Sequence, residues 1–172
     1  MSRFGEWDGD DFPGQSALWT ANVDRALKGR RGRQALRDLR EALLALPEPR
    51  LIEGAMCTIG SARRAEFIAG AQWHRDLFAE IVAGQGEGVC SIGAYIWRQR
   101  VKAGMDPQEA FGSLPTIWDG GEGEGGDETA LEGARAGLTY TLAWHLASEN
   151  DSPYVTRTPE QRWQSFMDWI GR

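Results

Sequence analysis

Residues 34–47 read QALRDLREALLALP and set Leu36, Leu39, Leu43 and Leu46 at spacings of three, four and three, with a proline directly after the last. That spacing brings the four leucines to one side of an α-helix, the seam along which it packs on another helix, and Pro47 stops it. Upstream, residues 15–28 put Leu18, Trp19, Val23, Ala26 and Leu27 on one helical face, with Ser16 as the N-cap and Gly29 as the stop. The two helices are separated in this reading by a Gly-Arg-Arg-Gly break at 29–32.

Downstream, 51–59 and 88–92 read as extended pieces that can pair as a small two-stranded β-ribbon, with a helical stretch over 61–82 as the excursion between them. Ser91 is placed to cap a helix over 92–103 ended by Gly104, and Asp106, Pro107 and Glu109 satisfy the first positions of a short next one. A Gly- and acid-rich loop is expected over 118–128. Ala130, Leu131 and Ala134 then line a helix broken at Gly137, and Thr139 caps another over 140–148. Thr158, Pro159 and Gln161 form a capping box before a last helix whose Trp163, Phe166, Met167 and Ile170 face inward. The expected fold is mainly α, a compact multi-helix single domain over 15–172, preceded by a flexible acidic segment over 1–14. No internal repeat interrupts it.

Nineteen basic against twenty-five acidic residues give a formal charge of −6, so no global basic field holds nucleic acid or anionic lipid. The charge is nevertheless divided. Residues 24–40 hold seven basic and two acidic side chains, whereas 119–132 hold six acidic and no basic ones. Such polarity suits an approach of the two segments within one chain or across a homodimer, or two separate contact surfaces. The first fifteen residues carry Glu6, Asp8, Asp10 and Asp11 and lack the basic and apolar regions of a secretion signal, and no apolar run is long enough to span a bilayer. A cytoplasmic location without membrane contact is expected, with Cys57 and Cys90 both reduced.

Each motif with chemical promise has a plainer competitor. Gly121, Gly123 and Gly126 spell a dinucleotide-binding pattern, but Glu122 and Glu124 would repel a pyrophosphate. Cys57, Cys90, His74 and His145 match zinc ligand types without ligand spacing, so no metal and no cofactor is expected. A pocket around Cys90, His145, Asn150 and Asp151 is the small-enzyme or ligand-sequestering alternative, against which stands a buried thiol in an apolar run and a core histidine. The hairpin over 134–148 has the outline of a helix-turn-helix, the basis of a nucleic-acid-binding regulator. Its second helix offers Tyr140, Thr141, Trp144 and His145 where base readers carry Arg, Lys, Asn or Gln. The most plausible contact set is Lys28, Arg30, Arg31, Arg33, Arg37 and Arg40, joined by Trp73 and Trp118 among eight tryptophans, of which Trp7 and Trp19 are also expected to be exposed. Its plain reading is a solvated face paired with Asp24, Asp38 and Glu41.

The runs Gly88-Val-Cys90-Ser-Ile-Gly93-Ala94, Thr141-Leu-Ala-Trp144, Asn150-Asp151 and Thr158-Pro-Glu160-Gln-Arg162 resemble those of a group of short proteins of bacteriophages, prophages and some bacterial genomes, a group without a common activity. The resemblance runs from the leucine-seam helix to the C-terminus, and the 61–82 segment is longer than in similar proteins. It implies an origin, not a chemistry. Together with the dispersed polar groups it gives the leading expectation: a non-enzymatic phage-type accessory or counter-defence protein that binds a host or defence-system macromolecule, acting as an inhibitor through a protein surface.

Overall fold

The computed structural model describes residues 13–52, 57–58, 88–115, 125–150 and 157–171. Seven helices dominate them: α1 (Pro13–Lys28), α2 (Arg30–Ala45), α3 (Ser91–Lys102), α4 (Pro107–Gly112), α5 (Gly125–Arg135), α6 (Tyr140–Asn150) and α7 (Pro159–Ile170). β1 (Cys57–Thr58) and β2 (Gly88–Val89) pair antiparallel over two residues, Cys57 opposite Val89 and Thr58 opposite Gly88. The mainly α, multi-helix reading therefore holds.

Helix α3 is the centre. Its residues from Ser91 to Trp97 are all buried, and it touches α2, α4, α5 and α6. A helix enclosed on every side for two turns has no solvent face to keep polar, which is why Ile92, Ala94, Tyr95, Ile96 and Trp97 follow one another without amphipathic alternation. Beyond Trp97 it emerges into solvent and becomes cationic. Helix α5 packs on α6, α1 on α2 and α6, and α7 closes over α2.

Several boundaries differ from the sequence reading, each for a physical reason. Helix α1 starts at Pro13, whose fixed φ suits a first helical turn, so Ser16 lies inside the helix and is not its cap. The 29–32 break shrinks to Gly29, the extended N-cap of α2, and Gly32 lies within α2. Gly32 is required there because a Cβ would overlap the Ala26 backbone carbonyl of α1. The inner face of α2 is accordingly Gly32, Ala35, Leu39, Ala42 and Leu43, while Leu36 and Leu46 are half-buried. Small residues, more than leucines, let α1 and α3 approach.

Cys90, not Ser91, caps α3. The Cys90 Sγ accepts from the Gly93 N–H at 3.4 Å, and the Ser91 hydroxyl donates instead to the Leu146 carbonyl of α6 at 3.3 Å. Asp106 caps α4 as expected, accepting from Gln108 and Glu109 N–H groups at 2.9 and 3.1 Å. Helix α5 begins at Gly125, so 125–128 are helical and do not belong to the loop. Gly137, at φ +108°, makes the left-handed turn between α5 and α6, where a side chain would be strained. The Thr139 hydroxyl accepts from the Leu142 N–H, and Thr158 and Gln161 form the capping box of α7. Of the extended pieces over 51–59 and 88–92, the described residues show the pairing of Cys57–Thr58 with Gly88–Val89, while 53–56 and 59 lie outside them and 91–92 belong to α3. The 61–82 helices and the 1–12 segment lie outside the described residues.

Candidate functional site

Two polar regions deserve comparison as candidate sites. The first lies where the backbone at Leu51 and Ile52 runs between α3, α6 and α7. Asn150, at the end of α6, accepts from the Ser91 N–H at 3.0 Å and donates to the Ile52 carbonyl at 2.7 Å. Arg162 of α7 donates to the Leu51 carbonyl at 2.8 Å and to the Arg157 carbonyl at 3.2 Å. The Leu51 N–H donates to the Pro159 carbonyl, and the Ile52 N–H to that of Val89. At 2% exposed, Arg162 is among the largest fully buried side chains, and its guanidinium serves backbone carbonyls in a dry interior.

These residues come from three of the four short motifs singled out in the sequence. These motifs meet beside one extended segment, which is held by Asn150, Arg162 and the Pro159 carbonyl, while Cys90, Thr158 and Gln161 cap the adjoining helices. Of the pocket set, Cys90 and Asn150 meet here, bridged by Ser91, and both are buried. His145, one turn earlier on α6, is also buried and stands edge-on to Trp169 at a ring separation of 5.8 Å. Burial alone pushes its imidazole down to about 4, so it is neutral near pH 7. Half-buried Glu149 is pushed up to about 7 by burial, opposed by the Arg157 charge. Asp151 lies outside the described residues.

The second region is the outer face of α2, where Arg30, Arg31, Arg33, Arg37 and Arg40 are all exposed. The sequence offered Asp24, Asp38 and Glu41 as their neutralising partners, and the structure gives those carboxylates to other cations. Asp24 meets Lys28 at 3.4 Å. Lys102 of α3 reaches Asp38 at 3.0 Å and Glu41 at 2.7 Å, and Arg98 donates to Glu41 at 3.1 Å. These bonds hold the Glu41 carboxyl below its usual range and raise Lys102. Among the described residues, none of the five arginines joins an ion pair. Arg33 donates to the Lys28 carbonyl and Arg37 to the Gln34 side chain at 2.6 Å, contacts that orient guanidinium groups and leave their charge uncompensated.

The helix-turn-helix outline is present as α5 and α6, but α6 is sunk in the core through Leu142, Ala143, His145, Leu146, Ala147 and Asn150. What it leaves less buried is the strip Tyr140, Thr141 and Ser148, without a basic or amide side chain. Trp73 and Trp118, with Trp7, lie outside the described residues, as does the side chain of Trp19. The other four tryptophans pack inward: Trp97 is buried and donates to the Pro107 carbonyl at 2.9 Å, Trp163 donates to the Leu43 carbonyl at 3.0 Å, and Trp144 and Trp169 lie against the core.

Sequence reasoning missed Arg162 and the Arg98–Glu41–Lys102–Asp38 cluster. The signal for Arg162 was present, since it stands four residues before Phe166 on the apolar side of α7. No helix of the described residues is long and apolar enough to cross a membrane. No protein-family model, no curated protein and no solved structure matches the chain.

Proposed function

We propose that the protein is a non-enzymatic binding protein that attaches to a host macromolecule through the outer face of α2. The observation that supports this reading is the capture of Asp38 and Glu41 by Lys102 and Arg98, which leaves the arginines of α2 without the acids that would otherwise neutralise them. Guanidinium groups that keep their charge, on a helix anchored by a fully packed inner face, form a rigid array of charge-assisted donors. The groups with catalytic potential in the described core, Cys90, His145 and Asn150, are buried and face other parts of the chain. On the resemblance to phage and prophage proteins, the partner is a host or defence-system component, and occupying it is the inhibitory act.

The test compares the wild-type chain with an Arg33→Glu/Arg37→Glu/Arg40→Glu variant, both verified as folded by circular dichroism, for capture of purified bacterial defence complexes and of lysate macromolecules. Wild type retains a partner, and charge reversal weakens retention by at least about tenfold, on the scale of several lost charge-assisted contacts. Equal retention by both chains, or none by either, overturns the proposal.

A further inference from the structure

The arginines of α2 are not scattered over its outer face. Arg30, Arg33, Arg37 and Arg40 follow one another at spacings of three, four and three, and Leu44, 54% exposed, continues the same line after four more. At about 1.5 Å of rise per residue, the five positions trace a stripe of roughly 20 Å along the helix, confined to less than a third of its circumference. A three-four repeat is the seam geometry of paired helices, here built of guanidinium groups and closed by an apolar residue. The opposite side of α2 carries its own stripe, Gly32, Ala35, Leu39 and Ala42, already covered by the core. Helix α2 thus has two seams and one set of described partners.

Resting on the reading of α2 as the binding face, we infer that its occupant is an acidic helix of another protein, with carboxylates repeating at three- and four-residue intervals and an apolar side chain against Leu44. Three observations favour this occupant. The average spacing of 3.5 residues keeps the stripe in register along its length with a partner helix running beside it. Leu44 stands in the line of the arginines, where a phosphate backbone gains nothing from it and a protein seam buries it. The chain as a whole carries a charge of −6, which repels a polyanion beyond the immediate patch, whereas a helix with a few carboxylates meets the local field. The charge complementarity is also directional. Glu41 borders the stripe but is held toward Arg98 and Lys102, so the seam presents donors only.

The inference is tested with the full chain by fluorescence anisotropy. The probes are a synthetic helical peptide bearing Glu and Leu on one three-four stripe, a scrambled peptide of the same composition, and a short DNA duplex. The striped peptide is expected to bind at least about tenfold tighter than the scrambled one. Arg37→Glu/Arg40→Glu abolishes that preference. Leu44→Arg weakens the striped peptide while adding a positive charge that would tighten a phosphate polymer. Preference for the duplex, strengthened by Leu44→Arg and falling steeply with salt, assigns the face to nucleic acid and overturns the inference. Indifference to scrambling overturns it too, and so does salt-sensitive self-association abolished by Arg37→Glu/Arg40→Glu, which gives the face to a second copy. If the peptides fail while α2-dependent capture of a macromolecule persists, the occupant is wrong and the binding face stands. If both fail, both readings fall.

Discussion

The interior junction around Leu51 and the outer face of α2 are both rich in polar atoms, and they differ in what those atoms already hold. Asn150, Ser91 and Arg162 meet main-chain groups at close range in a dry environment. The arginines of α2 meet water, with only a backbone carbonyl and one amide in contact with Arg33 and Arg37. The first set therefore contributes stability and the second contributes little, because an exposed charge is already well solvated while a buried backbone group deprived of its partner is not. Polarity alone does not mark a binding site.

The sharpest way to break this contrast is to remove the interior ties. Arg162→Ala is expected to cost about 4 kcal/mol and Asn150→Ala about 3 kcal/mol, because each strands buried backbone groups and Arg162 also leaves a void. Urea denaturation of each variant checks this, and losses under 1 kcal/mol would make the junction incidental.

Next comes pH. His145 is buried with its folded value near 4, below the unfolded 6.5, so the unfolded chain binds its proton first and stability falls as pH drops from about 6.5 to 4, by an amount on the order of 3 kcal/mol. Glu149 works against it. Its folded value is raised from 4.5 to about 7, so its neutral form favours the native state below 4.5, and that contribution is lost as pH rises toward 7. Denaturation midpoints between pH 4 and 7 should fall more steeply in Glu149→Gln than in wild type, and His145→Gln should reverse the slope.

The smallest expected effect belongs to the α2 face. Arg37→Ala should change stability by less than about 0.5 kcal/mol, since the residue is exposed and bonded only to Gln34. A much larger loss in the same denaturation experiment would show that the stripe holds the fold together, removing the contrast.

Much of the architecture was legible because punctuation is local. Asp106 before Pro107, Thr158 with Gln161, and Gly137 at the α5–α6 turn act through neighbours within four residues, and each stands where its chemistry requires. The misreadings at Gly32 and Ser91 share another cause. What Gly32 meets is Ala26 of the preceding helix, and what Ser91 meets is Leu146, far along the chain. The arginine set was legible as a charge excess, but the capture of Asp38 and Glu41 by other cations was not, because Lys102 and Arg98 belong to a helix some sixty residues downstream of them. Arg162 was obscured by the habit of reading arginine as surface, although its place on the apolar side of α7 spoke otherwise.

The tie between Arg162 and the Leu51 carbonyl spans 111 residues, and that between Trp163 and Leu43 spans 120. During synthesis the Leu51 segment and the part of α2 that α7 covers must therefore wait until α7 has left the ribosome, although the rest of α2 already packs on α1 and α3. Closure of so long a loop is entropically late, so completion of this junction is governed by the arrival of α7 and not by the earlier formation of α1 and α2.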